Sequence, residues 1–225
     1  MSNGKYCMEL VRQFIGQMPD DIDVKGFCSG VTRFIRREYE ACGANLERLK
    51  DNPTERLTAS AIIYSALHKE VWLVGDCQCI VDGVYYDNPK PLESVLAGKR
   101  SAYLVKALNE GLSINDVQKE DPGRSYILDE LIDSCRLQNI AYPVIDGFDI
   151  PLDKVKVIDT SGCTGDIILA SDGYSFLKKT LSESEEALSE QLSNDPLCIN
   201  EYKATKGLMA GNLSFDDRCY VRFTV

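Results

Sequence analysis

The stretch DIILASDGYSFLKK, residues 166–179, decides the fold prediction. It begins with an apolar run, residues 167–170, that has the length of a buried strand, and this run leads into Ser171, Asp172 and Gly173. A glycine at this point permits a sharp turn and a close backbone approach. Asp172 is therefore expected at the end of a rigid strand, where a carboxylate can be held for a ligand. The alternative is an ordinary strand-to-helix turn in which Asp172 caps the next helix.

The stretch SFDDRCYVRF, which starts at Ser214, places two more carboxylates beside a strand. Asp216 and Asp217 precede a predicted final strand, and adjacent carboxylates repel each other unless a cation compensates them. Arg218 could be that cation, which would make the segment an ordinary solvated turn. A hard divalent ion is the other candidate, because Mg²⁺ and Mn²⁺ prefer oxygen ligands and retain several waters.

A further carboxylate interrupts the apolar stretch VWLVGDCQC, which starts at Val71. Asp76 follows Gly75 and has apolar neighbours on both sides, where a charge is unfavourable unless something pairs with it. Cys77 and Cys79 would point to one face of a strand and could form a soft-metal pair. No second Cys/His pair with ligand spacing accompanies them, so ordinary reduced thiols are the favoured interpretation.

The hydrophobic periodicity predicts one α+β domain over residues 1–225, because no repeat or flexible linker divides the chain. Two short apolar runs joined at His68 and Lys69 indicate an antiparallel hairpin, and DG pairs at 82–83 and 146–147 resemble hairpin turns. Strands are predicted over residues 57–67, 71–81, 142–145, 155–158, 167–170 and 219–225. Helices are predicted over residues 7–18, 24–49, 91–139 with a break at DPG, 174–179, 184–192 and 199–206.

The bulk composition restricts the possible partners. The formal charge is −10, which argues against nucleic acid or an anionic membrane and is compatible with cation binding. No apolar run is long enough to span a membrane, and the first residues resemble no signal peptide, so a cytoplasmic location is expected. Nine scattered cysteines favour free thiols. The single histidine, His68, is predicted to be a solvated turn residue, which makes a Ser-His-Asp triad improbable.

Taken in order, the segments from about residue 57 to residue 225 resemble the type 2C (PPM) metal-dependent protein serine/threonine phosphatases. The most specific motif is ILASDG, and the ordered set is more specific than any one member. Leu57-Thr58-Ala59 matches a family strand of small residues that contains T-A, and Gly75-Asp76-Cys77-Gln78 matches the family motif G-D-S-R. Residues 168–173 match ILASDG. Asp216-Asp217 matches the D-N or D-D that precedes the last strand in the family.

The resemblance implies two antiparallel sheets packed as a sandwich and flanked by helices, with a two-ion Mg or Mn centre. In the family this centre activates a water for in-line attack on phosphoserine or phosphothreonine, and no protein nucleophile is needed. It implies that Asp172 and Asp216 ligate a metal, that Gly173 and Asp217 belong to the same metal site, and that Asp76 belongs to a weaker third ion. A phosphorylated protein is the implied substrate, and a cognate kinase is a further expected partner.

Several family features are missing from the chain. A D-G-H-G-G-like turn, with the bridging aspartate and a histidine, is expected before the first long helix, but nothing before Cys7 is acidic. Where the family motif G-D-S-R has serine, this chain has Cys77, and where the motif has arginine, it has Gln78. We therefore expect either a fragment that lacks the first strands, a substitute carboxylate, or a catalytically inactive phosphatase-like binding or regulatory module.

Two other phosphatase classes are disfavoured by the sequence. A Cys-dependent phosphatase requires a C-x₅-R loop in a Gly-rich turn. Cys42 and Arg48 have this spacing, but the segment between them contains a single glycine and is not a Gly-rich turn. A phosphatase with an aspartyl nucleophile requires D-x-D after a strand. Asp21-Ile22-Asp23 matches the D-x-D motif, but no apolar strand precedes it.

Overall fold

The computed structural model describes residues 2–225, and its helices and strands are segregated as in an α+β protein. The residues group into two compact units, one of residues 2–77, 87–90 and 135–164, the other of residues 78–86, 91–134 and 165–225. The helices are α1 (Asn3–Ile15), α2 (Val24–Ala41), α3 (Leu46–Asp51), α4 (Glu93–Asn109), α5 (Ile114–Lys119), α6 (Pro122–Tyr126), α7 (Leu128–Ser134) and α8 (Leu181–Asn194). The strands are β1 (Ala61–Ser65), β2 (Glu70–Val74), β3 (Gln78–Val81), β4 (Val84–Asp87), β5 (Lys156–Asp159), β6 (Asp166–Ala170) and β7 (Tyr220–Thr224).

The first unit contains a three-stranded antiparallel sheet with the strand order β1-β2-β5. Residues of α1 and α2 pack with this sheet in one hydrophobic core. The fully buried Trp72 lies at the centre of this sheet, opposite Ile63 on one side and Val157 on the other. The predicted hairpin of β1 and β2 is confirmed. The predicted helix over residues 24–49 is two helices, because Gly43 adopts a left-handed conformation and Asn45 caps α3.

The second unit contains a four-stranded sheet with the strand order β4-β3-β6-β7, and α8 packs against this sheet. Every residue from Ile167 to Ala170 is buried, as the unbroken apolar run predicts. Asp82 and Gly83 both have positive φ and form the tight turn between β3 and β4, which confirms the turn prediction at this DG pair. The α+β class with two antiparallel sheets is thus confirmed.

Several predicted elements were wrong. The run over residues 71–81 forms two strands in different sheets, because Gly75 has a φ of 110° and bends the chain. Residues 142–145 form only isolated bridges. Residues 174–179 are irregular, and the next helix instead begins after Thr180, which forms a capping box with Glu183.

The segment 199–206 is also irregular, because its backbone finds side-chain partners in place of helical ones. The amides of Ile199 and Asn200 donate to the carboxylate of Asp195, and the carbonyl of Ala204 accepts from Arg100. Within residues 2–225, no helix combines the length and apolarity that a membrane crossing requires. The single-domain and cytoplasmic assignments stay predictions.

Candidate metal centre

The turn that follows β6 and the turn that precedes β7 lie side by side. Ala170 is opposite Tyr220 in the sheet, so both turns leave the sheet at the same end. The amide of Ser171 donates to the carbonyl of Cys219 at 3.2 Å, and the amide of Cys219 donates to the Ser171 hydroxyl at 3.0 Å. We call residues 171–173 and 216–219 the paired acidic turns, because they carry Asp172 on one side and Asp216 and Asp217 on the other.

Gly173 permits this close approach of the two backbones. A Cβ atom at this position would lie 2.2 Å from the carbonyl oxygen of Asp217 and 2.9 Å from the Cβ of Arg218. Neither distance is compatible with a side chain. The glycine predicted for a sharp turn is therefore required for a second reason, which is contact between segments far apart in sequence.

Gln78 fixes the first of the paired acidic turns from inside the sheet. Its buried amide donates to the carbonyls of Ser171 and Tyr174, both at 2.8 Å, and its side-chain oxygen accepts from the hydroxyl of Tyr85. Gln78 therefore supports the turn structurally. It occupies the position at which the type 2C motif has arginine. This role was missed in the sequence, since it depends on a contact across 93 residues.

Asp172 is half-buried and does not cap a helix, because α8 begins at Leu181 with Thr180 as its cap. The helix-cap alternative is therefore wrong. The carboxylate of Asp172 acts electrostatically on Tyr202. Burial is the main cause that raises the pKa of this phenol, and the charges of Glu93 and Asp172 raise it further.

Asp216 is paired with a cation from the protein itself. The ammonium Nζ of Lys206 lies 2.6 Å from Oδ1 of Asp216. Arg218, the expected compensating residue, instead binds Glu185 through two hydrogen bonds of 2.8 and 2.7 Å. These hydrogen bonds are the main cause that lowers the pKa of Glu185. A basic residue thus does compensate the acidic turn, as predicted, but this residue is Lys206 and not Arg218.

Asp76 lies in the other unit and is also paired. Its side chain is 9% exposed, accepts from the Ser60 hydroxyl at 2.6 Å and forms an ion pair with Lys90. Burial alone would raise the pKa of Asp76, but the charge of Lys90 and the hydrogen bonds from Lys90 and Ser60 outweigh it and hold the pKa below its usual value. Gly75 allows Ser60 to approach, since a Cβ there would lie 2.2 Å from the serine hydroxyl.

The donor chemistry of the paired acidic turns suits a hard cation, but the number of donors does not suit a two-ion centre. Carboxylate oxygens from Asp172, Asp216 and Asp217 are the ligand type that Mg²⁺ and Mn²⁺ prefer. Among residues 2–225, however, no three side chains of His, Cys, Asp or Glu are arranged to hold a metal ion. The described residues therefore bring the segments of these carboxylates together but do not form a complete site for one ion or for two.

A cavity of about 1190 Å³ opens beside the second of the paired acidic turns. Its wall includes Asp216, Asp217 and Arg218, and cationic side chains of Lys119 and Arg124 face it from α5 and α6. The guanidinium of Arg124 donates to the carbonyl of Thr205. The cavity thus places positive groups near the acidic turn, in a space large enough for a peptide segment.

Three further candidates from the sequence are His68, the cysteine pair and Asp146. His68 is a turn residue, as predicted, with its ring nitrogen Nε2 3.1 Å from the carbonyl oxygen of Asp21. Cys77 and Cys79 are buried and form no disulfide. Asp146, predicted to lie in a hairpin turn, is fully buried, and its Oδ2 lies 2.8 Å from Nη1 of Arg56.

No protein-family model matches this chain, and no curated protein matches it. Among solved structures, the chain is similar to the catalytic domain of the serine threonine protein phosphatase PstP in complex with 2 manganese ions. The identity is 14% and the TM-score 0.34, and the match covers 80% of this chain and 66% of that one. It is also similar to the PPM Ser-Thr phosphatase MsPP from Mycobacterium smegmatis in complex with cacodylate, with 16% identity, a TM-score of 0.33, and coverage of 75% and 60%.

Proposed function

We propose that the chain is a phosphatase-like hydrolase that removes phosphate from phosphoserine or phosphothreonine in proteins with the help of Mg²⁺ or Mn²⁺. The observation that carries this proposal is the contact between the paired acidic turns, made by Ser171, Gly173 and Cys219. It brings together the segments of Asp172 and Asp216, which stand 44 positions apart (216 − 172) in the sequence. The resemblance to the type 2C phosphatases implies metal ligation by these two residues.

The proposed site combines ligands with a residue that positions them. Asp172 and Asp216 would supply oxygen ligands from the two turns, with Asp217 next to Asp216, and Gly173 keeps the backbones of the two turns in contact. A bound divalent cation would supply Lewis acidity toward the phosphoryl oxygens and lower the pKa of water. Asp76 is proposed as a ligand of a weaker ion, on the resemblance alone. Because fewer than three donors are assembled in residues 2–225, the two-ion centre would need ligands beyond those that this arrangement provides.

The cavity beside Asp216 and Asp217 is proposed to receive the substrate protein. Its wall contains both acidic and basic residues, and Lys119 and Arg124 are proposed to provide the positive charge that a phosphorylated segment requires. Arg124 already donates to Thr205, so its guanidinium has a fixed anchor. A planar guanidinium held in this way can donate two parallel hydrogen bonds to a phosphate.

Release of inorganic phosphate from p-nitrophenyl phosphate and from a phosphothreonine peptide tests the proposal. We expect hydrolysis with millimolar Mn²⁺, none with a chelator, and a loss of about 100-fold in Asp172→Asn. The matched control is Asp129→Asn, an exposed aspartate on α7 in the same unit, which should retain the full rate. Equal rates with and without chelator, or in Asp172→Asn, would remove the metal-dependent assignment.

A catalytically inactive phosphatase-like binding module is the second candidate, and the lysine pairs favour it. Lys206 and Lys90 neutralise Asp216 and Asp76, so neither carboxylate requires a divalent ion for charge balance. This candidate predicts that a phosphothreonine peptide binds in the presence of chelator and is recovered with its phosphate intact. Hydrolysis of the bound peptide on addition of Mn²⁺ would reject it in favour of the enzyme.

A further inference from the structure

We infer that the cavity beside Asp216 and Asp217 is specific for a phosphorylated segment that carries a bulky apolar side chain next to the phosphorylated residue. Leu213 is the residue that recognises this apolar side chain. The inference rests on the proposed function for the phosphate, whereas the apolar specificity follows from the wall of the cavity. All residues of this wall belong to the second unit. Leu213 belongs to none of the type 2C motifs, which in this part of the chain begin at Asp216.

The cavity has apolar side chains on its wall that are exposed to solvent. Leu213 is the most exposed large apolar side chain among residues 2–225, at 93%. Met209 and Leu128, the first residue of α7, line the same cavity, and Leu128 is 46% exposed. Single exposed leucines are common on protein surfaces, but several apolar side chains around one cavity form a surface that a ligand can cover. Removal of this surface from water would favour a ligand with an apolar side chain.

The loop that carries Leu213 is attached to the rest of the unit through its backbone. We call residues 208–213 the cavity loop. The amide of Ala210 donates to the carbonyl of Gln118 in α5 at 2.7 Å. Gly211 has a φ of 88°, a left-handed conformation that turns the chain sharply. Because this backbone is already ordered, little conformational entropy is lost when a ligand covers Leu213.

The residue that follows Leu213 is an independent indication of a ligand. Ser214 lines the same cavity and is only 9% exposed, and its hydroxyl oxygen is buried without a hydrogen-bond partner within residues 2–225. Such a hydroxyl is unfavourable, and a peptide segment brings backbone N–H and C=O groups that can bond to it. Because the oxygen is not exposed, the serine side chain would rotate on binding. One peptide segment would therefore cover the leucine and satisfy the serine.

The charged side chains of the cavity favour a phosphate and disfavour additional carboxylates. Within residues 2–225, the guanidinium of Arg124 binds the carbonyl of Thr205 and no carboxylate, so it can still bind an anion. Glu120 and Asp217 are exposed on the same wall and have no cationic partner in that range of residues. They would repel carboxylates of a ligand. The neighbour of the phosphorylated residue is therefore expected to be apolar and not acidic.

Fluorescence anisotropy of labelled peptides, measured with a chelator so that no metal-dependent turnover occurs, tests this inference without reference to activity. One peptide carries phosphothreonine followed by leucine, and two others carry serine or aspartate in place of that leucine. We expect the wild type to bind the leucine peptide about tenfold more tightly than the serine peptide, because the leucine side chain leaves water. The aspartate peptide should bind no more tightly than the serine peptide.

The variant Leu213→Ser should lose the tenfold preference for the leucine peptide. Its side chain is exposed, so the substitution removes no core contact, and Leu213→Ala is a second variant for which the same loss is expected. The matched control is Leu181→Ser, an exposed leucine at the start of α8 that does not line the cavity, which should keep the preference. Arg124→Gln should bind phosphorylated and unphosphorylated peptides more equally and still prefer leucine to serine.

The outcomes separate this inference from the proposed function. Equal affinity of the wild type for the leucine and serine peptides, or the same preference in wild type and Leu213→Ser, would overturn the inference at any rate of hydrolysis. The predicted preference without phosphate release in the presence of Mn²⁺ would support the inference and argue against the phosphatase. No peptide binding, together with self-association of the wild type that Leu213→Ser abolishes, would assign the surface to a second copy of the chain and overturn the inference.

Discussion

Gly173 lies directly against the backbone of Asp217, at a distance that excludes any side chain between them. This contact joins a segment after β6 to a segment before β7 and gives the candidate site its shape. The residues that would bind a cation are polar and partly exposed, whereas the residue that positions them is a buried glycine. Disruption of this contact should therefore affect the site without removal of any carboxylate.

We predict that Gly173→Ala destabilises the protein by about 1–3 kcal/mol, because the added methyl group must displace the Asp217 backbone. Urea denaturation followed by fluorescence measures this change. The control is Gly98→Ala in α4, where an added Cβ meets no atom within 4 Å. The control should stabilise the helix by about 0.5–1 kcal/mol. An equal effect of the two substitutions would contradict the close contact at Gly173.

Arg100 is predicted to be the strongest single stabilising residue of the second unit. It is fully buried, pairs with Asp121 at 2.7 Å and donates to the carbonyls of Leu197 and Ala204. Arg100→Met leaves the buried carboxylate of Asp121 without its cation, which should cost about 3–5 kcal/mol in the free energy of unfolding. Lys99→Met, on the exposed side of the same helix, should cost less than about 1 kcal/mol. A cost for Arg100→Met as small as that of Lys99→Met would refute this role.

The pKa of Asp76 predicts the pH dependence of its contribution to stability. Lys90 and Ser60 hold this pKa below its usual value, and the unfolded value is about 3.9. A lowered pKa in the folded state means that the carboxylate stabilises the protein above about pH 4. This contribution is lost as the pH falls through the folded pKa. Asp76→Asn should therefore reduce stability by about 1–3 kcal/mol at pH 7 and by less at about pH 3.

Urea denaturation of wild type and Asp76→Asn at the two pH values measures this difference, with the exposed Asp129→Asn as control. The control should show a small change that is similar at both. If Asp76→Asn lost the same stability at low pH as at neutral pH, the paired carboxylate would not be the cause.

The sequence was sufficient for the elements that depend on local pattern. The unbroken apolar run of β6 predicted a buried strand, and the Asp82-Gly83 pair predicted a tight turn. The helix predicted over residues 174–179 failed because its spacing of apolar residues reflects burial of Tyr174 and Leu177 in an irregular segment. Spacing alone cannot distinguish these two cases over six residues.

The partners of the charged residues could not be predicted, since they come from distant segments. Arg56 and Asp146 are 90 positions apart, and their buried ion pair leaves no local signal in the sequence. Lys206 lies in an irregular segment whose backbone carbonyls accept hydrogen bonds from Arg100 of α4 and Arg124 of α6. The pairing of the acidic turns was predicted from the resemblance, whereas their lysine partner required three-dimensional coordinates.

The binding of Mn²⁺ by wild type, Asp172→Asn and Asp216→Asn, measured by calorimetry, tests the central claim most directly. If the paired acidic turns hold one cation, the wild type binds Mn²⁺ at millimolar or lower concentration, and each substitution weakens binding by about tenfold or more. No binding by the wild type at millimolar Mn²⁺, or an affinity that neither substitution changes, would contradict the shared site.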